Sequence, residues 1–183
     1  MLNTLVRIGK CLQNVEITWG VGGSLLLNFH QLIDKPNDID ILVDERNASR
    51  LMEIISPLGR MKEAKRSEPF RTVYFSKLAI EEVAIDIMGG FAISHQEGVY
   101  HLPLTADRIV EYKTINGVDI PLCALEDWYI LYSLIPGKQE KAVLIENHFR
   151  TTGVKHPNLL EEALKRPLPQ EVRGKIIEWL IEG

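Results

Sequence analysis

The stretch from Trp19 to Val43, W-G-V-G-G-S-L-L-L-N-F-H-Q-L-I-D-K-P-N-D-I-D-I-L-V, constrains this chain more than any other. Gly22-Gly23-Ser24 opens a short apolar helix, predicted from Ser24 to about Ile33. A Lys-Pro-Asn turn then leads into a strand predicted over 38–43. Side chains alternate faces along a strand, so Asp38 and Asp40 share one face while Ile39 and Ile41 take the other, toward a core. Two carboxylates side by side repel unless a cation sits between them. Hard oxygen donors of this kind suit Mg2+ or Mn2+. Glycines ahead of a helix let the backbone approach a ligand, and the first amides of the helix are free to hold an anion. Ser24 can cap that helix or add a hydroxyl to a phosphate. An anion cradle followed by a carboxylate pair is what a metal-bound nucleoside triphosphate requires.

Around this stretch the pattern is mixed. A helix is predicted over 2–13, with Leu2, Leu5, Ile8 and Leu12 near one face, and a strand over 15–19. A further helix follows Asp44–Asn47 and ends at Pro57-Leu58-Gly59. Residues 61–70 are polar and read as a loop or a frayed strand. Strands are predicted over 71–76 and 80–88, close enough to pair as antiparallel neighbours. In the second of these, Asp86 shares a face with Glu82 and Ala84, opposite Val83, Ile85 and Ile87. A charge there is costly unless a metal, hydrogen bonds or a nearby Lys or Arg compensates it. His95–Gly98 reads as a turn, and Asn116-Gly117 as the turn of a hairpin between strands over 108–114 and 118–122. Helices follow over 125–135, 139–150, 157–165 and 169–181. The fold class is therefore α+β: a mixed β-sheet flanked by helices over 1–122, with a C-terminal helical extension over 123–183 packed on it.

Gly23-Ser24, a gap of thirteen residues and Asp38-Ile39-Asp40-Ile41, with Asp86 in a later strand, resemble the signature of the nucleotidyltransferase superfamily typified by DNA polymerase beta. The likeness is to its small members, the AbiEii-type and minimal antibiotic-modifying or toxin–antitoxin transferases. It implies the nucleotidyltransferase fold and three catalytic, metal-binding carboxylates, Asp38, Asp40 and Asp86, holding Mg2+ or Mn2+. It further implies a nucleotide site of Gly22, Gly23 and Ser24. Basic residues at the start of a later helix, Lys138 and Lys141, match in kind those that touch the triphosphate in such enzymes. The Arg, and the Asp that often follows the Lys, are absent here. A solvated helix face is the plainer reading of the same lysines.

The function these residues imply is metal-dependent transfer of a nucleoside monophosphate from a nucleoside triphosphate to a hydroxyl of a small molecule, a protein or an RNA end. The rival is an inactive module of the same fold that binds a nucleotide or a protein partner. With 25 Asp and Glu against 21 Lys and Arg, the net charge of −4 argues against extended nucleic-acid binding and templated polymerisation. Cys11 and Cys123 are isolated, which suits a reduced, cytoplasmic setting. The N-terminal helix is too charged for a signal peptide, and no stretch suggests a membrane span. Arg71 is a candidate for a phosphate or for Glu82, Trp19 for core or pocket wall. Glu126 and Asp127 read as structural, at a helix N-terminus.

Overall fold

Alternating apolar residues build the sheet. The computed structural model describes residues 1–182, in which nine strands form. They are β1 (Trp19–Gly22), β2 (Ile39–Val43), β3 (Arg60–Lys62), β4 (Tyr74–Ile80) and β5 (Val83–Gly89), then β6 (Phe91–His95), β7 (Gly98–Leu102), β8 (Ile109–Ile115) and β9 (Val118–Cys123). Seven of them make one mixed sheet in the order β3-β4-β5-β2-β1-β9-β8, and β6 and β7 form a separate hairpin. β2 runs parallel to β5 and antiparallel to β1. Ile39 and Ile41 on β2 and Ile85 and Ile87 on β5 are wholly buried, so the opposite face carries Asp40 and Asp86. The expected α+β class is therefore present: a mixed sheet with helices packed on it.

Seven helices accompany the strands: α1 (Leu2–Leu12), α2 (Gly23–Phe29), α3 (Ala48–Ile55), α4 (Leu125–Leu134), α5 (Gln139–Thr152), α6 (Pro157–Leu164) and α7 (Gln170–Glu182). In α1, Leu5, Ile8 and Leu12 are buried at helical spacing, against β9 and α3, whereas Leu2 is exposed. α4 differs in kind. Every residue of it except Ser133 is buried, as expected for a helix apolar on all sides. Both of its carboxylates have partners. Glu126 Oε1 accepts the backbone N–H groups of Lys155 at 3.0 Å and His156 at 2.9 Å. Asp127 pairs with the buried Arg108 at 2.6 Å. These are structural roles, as the sequence suggested. No helix among the described residues is long and apolar enough to cross a membrane.

Several boundaries move. The first strand runs from Trp19 rather than ending there, because β1 finds its partners, β2 and β9, only over Trp19–Gly22. The first core helix stops at Phe29, and Asn28 then donates its side-chain N–H to the carbonyls of Ile33 and Asp34, holding the descending loop. The strand expected over 71–76 runs from Tyr74 to Ile80. Arg71 precedes it and pairs with Glu68 at 2.8 Å, not with Glu82, whose partner is Arg60.

Candidate active site

The glycine turn meets the carboxylates directly. Gly22 closes β1 and is the register partner of Asp40. Gly23, the first residue of α2, has φ +61°, and a Cβ built on it would lie 1.8 Å from Asp40 Oδ2. Only glycine takes this left-handed conformation cheaply, and only a missing side chain leaves room for the carboxylate. Gly22 is equally constrained from the other side, since a Cβ there would lie 2.1 Å from the Trp128 ring. Ser24 is buried, and its hydroxyl donates to Asp38 Oδ1 at 3.2 Å while accepting the Asn37 N–H at 3.0 Å. The turn thus sets the positions of Asp38 and Asp40.

Asp40 and Asp86 stand next to each other in register on the parallel strands β2 and β5. One strand further out, Lys77 on β4 is the register partner of Asp86. Its Nζ donates to both Asp86 oxygens, at 2.9 and 2.8 Å. A cavity of about 370 Å³ lies over these residues. Asp38, Asp40 and Asp86 line its floor. Phe75, Lys77 and Met88 line it on the β4–β5 side, and Lys65, Arg66 and Phe70 on the β3–β4 loop. Trp128 and Tyr132 of α4, with Lys138 and Lys141 at the start of α5, complete the other wall.

Charge in this floor is held at a disadvantage. Burial pushes the Asp40 carboxyl up to about 7, and the neighbouring Asp38 and then Asp86 add to the rise. Lys141 and Lys77 oppose it. Burial also pulls the Lys141 ammonium down, as does Lys138, against the attraction of Asp40 and Asp38. Lys141 Nζ sits 5.2 Å from the centre of the Tyr132 ring, a cation–π contact. The Tyr132 phenol is pushed up by burial and by the same two carboxylates.

Over residues 4–148 the chain matches the aminoglycoside-2''-adenylyltransferase family. It belongs to that family. A candidate nucleotidyltransferase from Thermotoga maritima shares 26% identity with it over 82% of this chain and 92% of its own, with a TM-score of 0.63. The antibiotic-resistance factor ANT(2'')-Ia has the same fold. Its complex with adenylyl-2''-tobramycin superposes over 99% of this chain and 97% of its own at 14% identity, with a TM-score of 0.55. The solution structure of the same factor covers 81% of this chain and 83% of its own at 16% identity and the same TM-score. Among curated proteins, none matches the sequence significantly.

Within this nucleotidyltransferase fold, Asp38, Asp40, Asp86, Lys138 and Lys141 come together around one cavity, from segments a hundred residues apart in the chain. Gly22, Gly23 and Ser24 lie behind the carboxylates and are absent from the cavity wall. Among the described residues, no three His, Cys, Asp or Glu side chains converge tightly enough to hold a metal by themselves. Asp38 and Asp40 nevertheless suit a hard dication. They offer oxygen donors to one cavity from the start of β2, and the raised Asp40 is what a cation would relieve. Mg2+ is commonly held by one or two carboxylates, with substrate phosphates completing the shell. Lys77, Trp128, Lys65 and Arg66 escaped the sequence reading. Lys77 had one legible signal: it lies in the strand next to that of Asp86, whose charge needed a partner. The others carry no local pattern.

Proposed function

We propose that the chain transfers a nucleoside monophosphate from a nucleoside triphosphate to a hydroxyl acceptor, with Asp38 and Asp40 holding Mg2+ or Mn2+. The observation that carries this reading is the register match of Asp40 with Asp86 on parallel strands, with Asp38, just ahead of β2, lining the same cavity. Held by these two carboxylates, such an ion would supply positive charge to the triphosphate and to the departing pyrophosphate. Lys138 and Lys141 stand where they can meet the phosphate oxygens beyond the reach of the carboxylates. Trp128 and Tyr132 wall the nucleotide and exclude water. The acceptor oxygen forms its bond to the α-phosphorus as the bond from that phosphorus to pyrophosphate breaks, and the hydroxyl proton passes to Asp86. Lys77 steers this last step, because Asp86 must exchange one hydrogen bond from Lys77 for one from the acceptor. The third carboxylate serves the acceptor in this reading, and the carboxylate pair serves the ion.

Thermal melting with each of the four ribonucleoside triphosphates, with and without Mg2+ or Mn2+, tests it on the wild type and Asp40→Asn. A ligand that binds only the folded state raises its stability by mass action. A metal-dependent rise in the wild type that is lost in the variant is the expected result. No rise with any triphosphate would refute the reading and leave a fold without this chemistry.

A further inference from the structure

Aminoglycosides are polycations, and a site that holds one needs carboxylates to spare. Among the described residues, the cavity wall has three carboxylates and five cations: Lys65, Arg66, Lys77, Lys138 and Lys141. None of the carboxylates is spare. Asp86 already accepts both hydrogen bonds from Lys77, and Asp38 and Asp40 are the pair assigned above to the ion.

Strand order divides the remaining cations into two flanks. Lys138 and Lys141 stand on the β1 side, where Trp128 backs onto Gly22. Lys65 and Arg66 stand on the loop from β3 to β4, beyond Asp86. The inference rests on the reading of the first flank as the triphosphate's, which leaves the second for the acceptor. The wall there is Phe70, Phe75, Met88 and Phe91, an apolar surface with aromatic rings. Both cations at its rim have bonding capacity left. Arg66 gives one N–H to the Val73 carbonyl at 2.9 Å and keeps its other donors. Lys65 lies 3.4 Å from Glu63, but both side chains are largely exposed, and such a pair is weak.

We propose that the acceptor is an apolar, ring-bearing hydroxyl compound carrying an anionic group, and that polycationic aminoglycosides are rejected. The ring lies among Phe70, Phe75 and Phe91, and the anion meets Arg66 and Lys65. A guanidinium can take a carboxylate or phosphate through two parallel N–H bonds. An ammonium in the same place meets like charge from Lys65 and Arg66, which is how a site excludes the wrong ligand. The group transfer is the displacement already described, with the acceptor's hydroxyl directed at Asp86.

A matched series isolates charge from shape: tyramine, tyrosol and para-hydroxyphenylacetate share one ring and differ in carrying a cation, no charge or an anion. Calorimetric titration of each, and of tobramycin, into protein saturated with Mg2+ and a non-hydrolysable ATP analogue gives their affinities. The anion should bind about tenfold more tightly than the neutral compound, and the cation more weakly than both. The double variant Lys65→Gln with Arg66→Gln should abolish the anion's advantage while its Mg2+–ATP melting rise persists, which also shows that it folds. Tighter binding of tyramine or tobramycin, an anion preference that survives the double variant, or no binding by any of the series would each overturn the proposal. Loss of the melting rise with Mg2+ and ATP in the wild type is a different failure, that of the proposed function itself.

Discussion

Asp40→Asn should make the metal-free protein more stable above neutral pH, although it removes the residue on which the proposed activity depends. The folded Asp40 carboxyl titrates near 7 against an ordinary value of 3.8, through burial first and then Asp38 and Asp86. Between those two pH values the folded protein keeps a proton that the unfolded chain has given up. Its stability therefore declines as pH rises through that window and stays lower above it. The full displacement corresponds to about 4 kcal/mol at 1.36 kcal/mol per pH unit. Asp40 is only half-buried and faces an open cavity, so solvent screening brings this to about 2 kcal/mol. Asparagine has the same shape and no charge, and escapes the penalty. In a chain of this size 1 kcal/mol moves the melting temperature by about 2–4 °C, so the variant should melt about 4–8 °C higher than the wild type near pH 8 in EDTA. The gap should close as the pH falls below 3.8, where both states of the wild type hold most of the proton. Calorimetric melts across this range measure it. Saturating Mg2+ with ATP near pH 8 should then raise the wild type and leave the variant unmoved. A variant equal to or less stable than the wild type near pH 8, or a gap that does not change with pH, would refute the account of a carboxylate strained by burial and like charge.

Gly23→Ala should cost about 1–2 kcal/mol for the left-handed backbone alone and displace the Asp40 carboxylate, so denaturant melts should shift and the Mg2+–ATP melting rise should disappear. Lys77→Met leaves Asp86 without its cation; the pair is partly exposed, so the expected loss is about 1 kcal/mol in urea titration, while turnover should fall much further because Asp86 loses its orientation. Arg108→Met strands the buried Asp127, and loss of one partner of such a pair costs about 3–5 kcal/mol. Burial already raises the Asp127 carboxyl, so this loss should shrink as pH falls and the group takes up a proton, which denaturation at several pH values would reveal.

What the sequence determined by itself was local. Asp38 and Asp40 share a face because strands alternate, and Ile39 and Ile41 anchor that strand in the core for the same reason. The Asn116-Gly117 hairpin and the fourth helix were legible because a turn and a helical run of apolar residues are properties of adjacent residues. The superfamily could be read from the Gly-Ser to Asp-Ile-Asp spacing because one turn, one short helix and one strand leave little freedom between them. The tertiary structure decided everything that depends on strand order. Lys77 meets Asp86 because β4 and β5 pair in one register out of several that the alternation allows. Trp128 presses on Gly22 because α4 packs on α2, the helix that follows β1, a hundred residues earlier. The cavity's surplus of cations exists only because the β3–β4 loop and the start of α5 converge over the same carboxylates. Local geometry follows from neighbouring residues, but register and packing are settled by the free energy of the whole core, and the balance of charge in the site follows from them.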